Sequence, residues 1–404
     1  MREWNYPVWF AALDFKKAFD SVEHTCIWEA LHRQGVNNRY IHILAHLYSG
    51  QTARVKTDRL SKPFCLRRGT KQGDPLSSLL FNAVLEDIFR DLKKSWLRQG
   101  FGLHLGYTDF KTLSNLRFAD DVLLAAPSYS KLRKMLRGLV DAAGKRGLEL
   151  HPEKTKILCN LRKITGIISR TSMEVNGMPI DIFPYSGSAK YLGRKLSFDD
   201  PDETELDNRI SVGWKKFMLF KTELTYSGYS LRDRLRLFET VVKPTVLYGA
   251  AVWTMTASME HKLQRCQRRM LRMILGHRRR RIQTDESVDG ELEPWVDWVK
   301  RATREAESKL KEMDFDMWAT AQKRMKWSWA QRTQQIDADR WSRIVAEWEP
   351  ENTNNCTRSQ GRPRRRWADD IHSFLATKGF HGSWDAFPGH WHDLEKEFVA
   401  YEHQ

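Results

Sequence analysis

The sequence predicts a layered protein that combines a β-sheet with helices, followed by segments that are mostly helical. Strand-like and helix-like patterns alternate from about residue 7 to 160, which indicates an α/β or α+β unit. Helical patterns dominate residues 204–275 and return in residues 295–404. These observations place the sheet in the first part of the chain and the helices after it.

Hydrophobic spacing predicts the first elements. Residues 8–13 form a short apolar run, which indicates a buried strand. Apolar residues at helical intervals predict a helix over 16–34 and another at about 38–48. Residues 52–57 and 63–67 are typical of a pair of short strands.

The elements that complete this unit follow in the same way. A long helix is predicted after Pro75, because apolar residues recur at helical intervals from there. Residues 116–118 and the apolar run 122–126 predict two strands that are joined by a hinge at Asp120 and Asp121. A helix at about 130–146 ends near Gly147.

Charge and aromatic content divide the rest of the chain. Short apolar strands and glycines dominate to residue 200, and helical patterns follow. Residues 261–284 hold nine Lys/Arg and no acid. The acidic stretch 285–294 is predicted to be a linker. Ten of the 16 tryptophans follow it. Those of residues 295–348 recur at helical intervals, for instance Trp295 with Trp298, and this spacing predicts a helical core rather than a base-stacking platform.

Composition narrows the class of protein. The chain has 404 residues and is 41% hydrophobic, so a mostly disordered protein is not expected. No apolar run reaches the roughly 18 residues of a membrane-spanning helix, and the first residues do not resemble a signal peptide. Five dispersed cysteines without a CxxC pair favour a reducing, intracellular compartment. The net charge of +16 favours a polyanionic partner, most commonly nucleic acid, although a basic protein without one fits too.

Three aspartates occupy positions where a sheet could gather them. Asp14 directly follows the first apolar run, although an N-cap for the next helix is the simpler interpretation of this residue alone. Asp120 and Asp121 are adjacent at the hinge, where their charges repel and a turn rarely needs both. A hard cation such as Mg²⁺ would remove that repulsion. If the strands are neighbours, the carboxylates form a site for two ions about 3.5–4 Å apart, which suits in-line displacement.

A bend is predicted between these acidic positions, at 67–77. Two glycines and Pro75 set the bend directly before the long helix. Gly73 would let a backbone or a base approach closely, and Gln72 and Ser77 can exchange hydrogen bonds there. An ordinary helix start explains the same residues equally well.

Three ordered motifs contain these positions. They read ALDFKKAFDSV from Ala12, GTKQGDPLSSLLFN from Gly69 and FADD from Phe118. In this order and with this spacing, they resemble the signatures of reverse transcriptases of non-LTR (LINE-like) retrotransposons. The likeness extends over about residues 8–375, through 147–156, a hairpin at Tyr191-Leu192-Gly193, the region 205–280 and the GRPRRRWADD stretch from Gly361.

The resemblance implies a fold. That fold is the α+β right-hand polymerase, in which a palm is built on an antiparallel sheet with helices on one face. A helical thumb and a mostly helical C-terminal region follow. The expected domains are a palm with partial fingers and a primer-grip hairpin at 1–200, a basic thumb-like domain at 201–284, and a Trp-rich basic helical region at 285–404.

The resemblance also implies an activity and its residues. The activity is RNA-directed DNA synthesis, in which deoxynucleoside triphosphates extend a DNA primer on an RNA template with two Mg²⁺ ions, or Mn²⁺ in their place. The residues implied in catalysis are Asp14, Asp120, Asp121 and Lys154, of which the three aspartates are the metal ligands. The residues implied in nucleotide or template contact are Phe15, Phe19, Gln72 and Gly73. Lys154 would lie near the leaving pyrophosphate as a proton donor, and Phe19 would exclude a 2′-hydroxyl.

Two charged stretches beyond the palm give further predictions. Lys262, Arg265, Arg269 and Arg272 fall near one face of a thumb-like helix, and we favour nucleic-acid contact over a solvated face. A second acidic pair, Asp369–Asp370, follows three arginines and a tryptophan rather than an apolar strand. We therefore interpret this pair as a solvated helix turn paired with arginines and not as a metal site.

Two departures from the family pattern leave alternatives open. Only 13 residues precede Asp14, where the family has a fingers region, and no endonuclease domain is present, so the sequence is interpreted as N-terminally truncated. The alternative is a catalytically inactive remnant that binds RNA or DNA through its basic thumb and tail. A template-independent or DNA-templated polymerase is a third hypothesis. The family implies work in the nucleus, and the oligomeric state cannot be predicted.

Overall fold

The structure is a computed structural model that describes residues 6–71, 73–105, 112–161, 171–284, 287–348, 361, 363–382, 389 and 391–401. The described residues form two compact units. The first unit is formed by the described residues of 6–199 together with Gly361. The second unit is formed by residues 200–348 and 363–401.

A six-stranded sheet organises the first unit. The strands described there are β1 (Trp9–Leu13), β2 (Thr52–Ala53), β3 (Phe64–Cys65), β4 (Leu103–His104), β5 (Thr112–Leu113), β6 (Asn115–Phe118), β7 (Asp121–Ala126), β8 (Lys156–Cys159), β9 (Ser172–Val175), β10 (Met178–Phe183), β11 (Ser188–Tyr191) and β12 (Arg194–Ser197). The large sheet has the order β6-β7-β1-β8-β10-β9. The remaining strands pair as β2–β3, β4–β5 and β11–β12.

Strand β1 lies in the middle of the sheet because nearly all of its side chains are apolar and buried. It pairs antiparallel with β7, with Leu13 opposite Val122, and with β8, with Trp9 opposite Cys159. Every described pair in this sheet is antiparallel except β8–β10, which is parallel. The prediction of an antiparallel sheet is thus correct around β1. Towards the β9 edge the sheet is mixed, because β8 and β10 are parallel.

Helices cover one face of the sheet, which confirms the α+β class. They are α1 (Ala18–Ser21), α2 (His24–Arg33), α3 (Asn38–Tyr48), α4 (Pro75–Arg98) and α5 (Tyr129–Gly144). Alternate residues of β1, namely Trp9, Ala11 and Leu13, point into the core that these helices complete. On the opposite face, Phe10 stacks on Phe198 at 5.5 Å, directly after the β11–β12 hairpin.

The predicted single helix over 16–34 is wrong, because the chain breaks between α1 and α2. Val22 adopts an extended conformation there. The bend that precedes α4 supplies the hydrogen bonds that the helix gives up: Gly69 N donates to Val22 O at 2.7 Å, and Thr70 N donates to Phe19 O at 2.6 Å. The hydrophobic periodicity of a segment cannot predict hydrogen-bond partners that lie about 50 residues away in sequence.

A buried carboxylate ties three helical segments together. Asp87 of α4 is 3% exposed, and Arg146, just past α5, donates to its Oδ2 at 2.6 Å. Arg33 at the end of α2 lies 2.9 Å from the other carboxylate oxygen and also contacts Asp91. The two arginines thus supply the opposite charges that a buried carboxylate needs, and they join α2 and the end of α5 to α4.

Helices make up most of the second unit, as predicted. They are α6 (Pro201–Leu219), α7 (Lys221–Thr225), α8 (Leu231–Leu237), a π-helical turn (Phe238–Val242), α9 (Lys243–Val246), a 3₁₀ turn (Ala250–Val252), α10 (Ala257–Leu275), α11 (Trp295–Glu312), α12 (Trp318–Gln335), α13 (Trp341–Glu347), α14 (Asp369–Thr377) and α15 (Trp391–Ala400). Across the described ranges, no helix is both long enough and apolar enough to cross a bilayer.

The predicted linker at 285–294 is also wrong. Strands β13 (Arg281–Thr284) and β14 (Ser287–Leu292) form an antiparallel hairpin there; Asp285 and Glu286 lie outside the described residues. Glu293 anchors the base of the hairpin, because it accepts two hydrogen bonds from Arg301, at 3.0 and 2.7 Å, and one from Arg280 N. The acidic composition alone suggested a linker, but backbone pairing between β13 and β14 makes this segment a hairpin.

The tryptophans divide between core and surface. Trp318 and Trp327 are almost fully buried, and Trp327 stacks on Phe398 at 4.6 Å, so the predicted helical core is confirmed for these two. Trp391, beyond the predicted range, is buried as well. Trp295 is 63% exposed, so the same prediction is wrong for that residue.

Candidate active site

The sheet register brings the first and third motifs together. Leu13 is opposite Val122 in the β1–β7 pair, so the next position of the same register places Asp14 opposite Asp121. Neighbouring positions of an antiparallel pair are about 4.5–5.5 Å apart between Cα atoms. Two acids that lie more than a hundred residues apart in sequence therefore meet at the end of the central strand pair.

A two-residue loop presents the third aspartate. Phe118 of β6 is opposite Asp121 of β7, which leaves Ala119 and Asp120 as the turn. Ala119 has φ = 51°, a left-handed conformation that costs a residue with a Cβ about 1–2 kcal/mol. The tight turn holds Asp120 directly beside the Asp14–Asp121 position.

The electrostatics of this acidic cluster are those of carboxylates that repel one another. The pKa of Asp121 is raised by burial, and the charges of Asp120 and Asp14 raise it further. Asp14 Oδ2 is buried and accepts no hydrogen bond within the described residues. The Nζ of Lys154 lies 3.4 Å from that oxygen.

Backbone pairing beyond β1 holds Asp14 and Phe15 in place. His151 N donates to Asp14 O at 2.8 Å, and Lys16 N donates to Glu149 O at 2.8 Å. These two bonds flank Phe15, so its own carbonyl is not used in this bridge, and its ring is buried. The buried Thr155 accepts a longer bond from Asp14 N, at 3.4 Å, through its hydroxyl. The same loop carries Lys154, and this explains why its ammonium reaches Asp14.

The predicted nucleotide contacts lie around the break between α1 and α2. Phe19 is half-buried and stacks on Phe81 of α4, with 4.6 Å between the ring centroids. Gly73 has φ = 90°, and a Cβ placed there would meet nothing within 4 Å, so its backbone faces open space. Gln72 lies outside the described residues.

The fit of these residues to metal ions rests on their donor chemistry. Carboxylate oxygens are the ligands that Mg²⁺ prefers, and a buried oxygen of Asp14 without a hydrogen bond, next to a repelled Asp121, is what a cation would relieve. Within the described residues, no three His, Cys, Asp or Glu side chains already stand close enough to share one ion. The backbone thus brings the carboxylates together, and their side chains are not preassembled as a cage.

Comparison with known proteins indicates the ancestry of the chain. Residues 2–196 match the family model described as reverse transcriptase (RNA-dependent DNA polymerase). The chain is 26% identical, over 67% of its length, to a transposon-derived protein of Caenorhabditis elegans, 88% of which is covered. It is 31% identical, over 61% of its length, to a retrovirus-related Pol polyprotein from a type-1 R2 retrotransposable element of Popillia japonica, 33% of which is covered.

Residues 2–196, just under half of the chain, resemble the reverse transcriptase family. The predicted likeness to reverse transcriptases of non-LTR retrotransposons is confirmed, and so is RNA-directed DNA polymerase ancestry. The match covers only 24% of the Pol polyprotein from the R2 element of Drosophila melanogaster, at 26% identity.

One residue near the acidic cluster was missing from the predicted site. Tyr191 ends β11, and Leu192 and Gly193, with φ of 47° and 73°, form the two-residue turn to β12. Burial and the charge of Asp121 raise the pKa of Tyr191 to about 12, so its hydroxyl stays protonated beside the acids. The Tyr-Leu-Gly turn was visible in the sequence, but its proximity to Asp121 depends on tertiary structure.

The four predicted basic residues of the second unit do not all have the same surroundings. Arg265, Arg269 and Arg272 line a cavity between α10 and α11. Lys262, one turn before them, instead forms ion pairs with Asp207 and with Glu203 of α6. The structure thus brings three of the four predicted residues together.

The second acidic pair is not a solvated turn, so that prediction is wrong. Asp370 is 2.8 Å from the ammonium of Lys326, which is 2% exposed, and 3.7 Å from Arg365. Asp369 accepts from Arg366 N at 2.6 Å. The pairing with arginine was predicted correctly, whereas the buried lysine on α12 could not be foreseen from local sequence.

Proposed function

We propose that this chain is an RNA-directed DNA polymerase that adds deoxynucleotides to a primer 3′ end by two-metal phosphoryl transfer. The observation that carries the proposal is the β1–β7 register, which puts Asp14 opposite Asp121, with Asp120 in the adjoining loop. The raised pKa of Asp121 supports it, because Asp120 and Asp14 contribute to that shift.

The three aspartates would hold the ions, and the Phe15 carbonyl would face one of them. Bound there, two Mg²⁺ or Mn²⁺ ions supply charge neutralisation and activation of the primer 3′-hydroxyl. The family match supports divalent cations without specifying which. The buried oxygen of Asp14, which accepts no hydrogen bond within the described residues, is the structural reason to expect cations at this position.

Other residues of the first unit would position the substrates. Lys154 is 65% exposed and stands 3.4 Å from Asp14, so its ammonium can reach the leaving pyrophosphate and donate a proton to it. Phe19 would pack under the incoming sugar and reject a 2′-hydroxyl. Gly73, with open space at its Cα, and Gln72 would contact the template and the nascent base pair.

Primer extension on an RNA template, with labelled deoxynucleotides and Mg²⁺, tests the proposal. Asp120→Asn keeps the volume of the side chain and removes the charge, so extension should fall roughly 10³-fold, which corresponds to about 4 kcal/mol of lost transition-state stabilisation. Asp91→Asn is the matched control, because Asp91 is 60% exposed and pairs only with Arg33 among the ion pairs of the described residues.

The same assay separates the alternatives. Extension that needs a divalent cation, survives Asp91→Asn and is lost in Asp120→Asn supports the enzyme. No extension by folded protein that still binds primer–template supports the inactive remnant, and the cations that line the α10–α11 cavity favour that second candidate. Equal extension on DNA and RNA templates would indicate a DNA-templated polymerase. Because the family implies insertion into chromosomal DNA, we expect the protein in the nucleus.

A further inference from the structure

A strongly basic groove lies between two helices of the second unit, away from the acidic cluster in sequence. The cavity between α10 and α11 measures about 820 Å³ and is here called the arginine groove. It is lined by Arg265, Arg268, Arg269, Arg272, Val299, Lys300, Thr303 and Arg304. Neither Lys300 nor Arg304 was predicted to contact nucleic acid.

Few acids neutralise these cations. Arg268 pairs with Glu307 at 2.6 Å, whereas Arg272 donates to the neutral hydroxyl of Thr303 at 2.8 Å. Arg265, Lys300 and Arg304 are exposed, and within the described residues they form no ion pair. Burial and the charges of Arg268 and Arg269 lower the pKa of Arg272, which shows that the positive charges repel one another. Such an arrangement is stabilised by an anion that several cations share.

The dimensions of the groove suit a phosphate backbone. Arg265, Arg268, Arg269 and Arg272 recur at helical intervals, so they form one stripe along α10. From Arg265 to Arg272 the helix rises about 10 Å, which matches roughly three phosphates of one duplex strand at about 3.4 Å each along the axis. The two cations of α11 are four residues apart and form a shorter stripe on the facing wall.

The lining favours contact with the backbone over reading of bases. Arginine and lysine neutralise phosphates, and phosphate contacts hold a nucleic acid without selecting its sequence. No aromatic ring lines the groove within the described residues. The guanidinium of Arg269 lies over the ring of Trp214, 5.2 Å from its centroid. Stacking of unpaired bases therefore has no platform here.

We infer that the arginine groove binds the sugar–phosphate backbone of a nucleic-acid duplex, and that Lys300 and Arg304 of α11 contact phosphates together with the arginines of α10. The inference rests on the nucleic-acid partner of the proposed function, but it is independent of catalysis. A free polyphosphate carries the same chemistry and is an outcome of the test.

The dependence of binding on salt tests this inference directly. The probe is a fluorescent RNA·DNA hybrid duplex of about 20 base pairs, and anisotropy gives Kobs between 50 and 200 mM salt. Each lost phosphate contact removes about 0.9 from the slope of log Kobs against log salt, so Lys300→Gln with Arg304→Gln should reduce the slope by about 1.8. When the salt concentration rises fourfold, from 50 to 200 mM, Kobs of the double variant should therefore fall by a factor roughly twelve times smaller than Kobs of the unmodified chain.

Lys309→Gln with Lys311→Gln is the matched control. It removes the same charge from the same helix, but neither residue lines the arginine groove. The control should keep the slope within about 0.3 of the unmodified chain. Circular dichroism of both double variants checks that α11 is folded. Equal slopes for the two double variants would overturn the inference.

Two further measurements separate duplex binding in the arginine groove from catalysis and from polyphosphate binding. Asp120→Asn should bind the duplex with unchanged slope even where it extends no primer, so failure of catalysis and failure of the groove can be told apart. If tripolyphosphate displaces the duplex only at the ionic strength where salt does, the groove binds a nucleic-acid backbone. If tripolyphosphate binds tightly at low micromolar concentration and the duplex does not bind, the inference is wrong.

Discussion

Two glycines of one motif have different roles at the residue scale. Both Gly69 and Gly73 adopt left-handed backbone conformations, with φ of 86° and 90°. A Cβ at Gly69 would lie 2.7 Å from the backbone oxygen of Asp20, whereas one at Gly73 would meet nothing within 4 Å. The fold therefore requires glycine at Gly69 for packing against α1, whereas at Gly73 the fold requires it only because of the backbone conformation.

This difference predicts unequal losses of stability. Gly69→Ala should lower the free energy of unfolding by about 3 kcal/mol, because backbone strain adds to a clash that no flexible side chain can relieve. Gly73→Ala should cost only about 1 kcal/mol. Urea unfolding of the two variants measures both values. A Gly69→Ala variant that is as stable as Gly73→Ala would contradict the packing argument.

Glu293 gives a prediction about pH. The hydrogen bonds from Arg301 are the main cause that lowers its pKa to about 2 in the folded chain. Because the unfolded value is about 4.3, the unfolded chain binds the proton first, and the stability from Glu293 is present above that value. It is lost as the pH falls from about 4.3 towards 2.

Thermal unfolding between pH 5 and 2.5 checks this prediction. The fall in Tm with acid should be shallower in Glu293→Gln than in the unmodified chain. Glu312→Gln is the control, because Glu312 and its partner Lys309 are both exposed and solvent screens their attraction. A Glu293→Gln variant with an unchanged acid slope would show that the hairpin anchor does not titrate as proposed.

At the scale of elements, Asp87 shows how a single side chain connects helices. It joins α2 and the end of α5 to α4 through Arg33 and Arg146. Asp91, one turn later, contacts Arg33 but is 60% exposed. The two aspartates are thus a matched pair on one helix that differ mainly in burial.

Substituting each aspartate should show that the buried ion pair contributes more to stability than the exposed one. Asp87→Ala is expected to destabilise the first unit by about 3 kcal/mol, since Arg146 loses its buried partner. Asp91→Ala should cost less than about 1 kcal/mol. Equilibrium unfolding in guanidinium chloride measures the difference, and similar losses for the two variants would refute the role assigned to Asp87.

At the scale of the whole molecule, the chain consists of two compact units, each with its own buried core. The acidic cluster belongs to the first unit and the arginine groove to the second. Stability and binding should therefore respond separately to substitutions in the two units.

Hydrogen exchange measured by mass spectrometry can test this independence. Asp87→Ala should raise exchange in α2, α4 and α5, while α12 and α14 stay unchanged. Lys326→Met, which leaves Asp370 without its buried partner, should have the opposite pattern. Exchange that rises throughout both units in either variant would show a single cooperative structure.

The sequence by itself determined most strands and helices around the acidic cluster and the residue types that they present there. The apolar runs of β1 and β7, the short strand β6 and the acids that follow or separate them are local features, so periodicity and motif order predicted them. Tertiary structure decided which of these residues meet. The Asp14–Asp121 register, the break after Ser21, the hairpin at 281–292 and the Lys326–Asp370 pair all depend on partners outside the local window. Local patterns carry no record of such partners, because the free energy of these contacts arises only once the chain has folded.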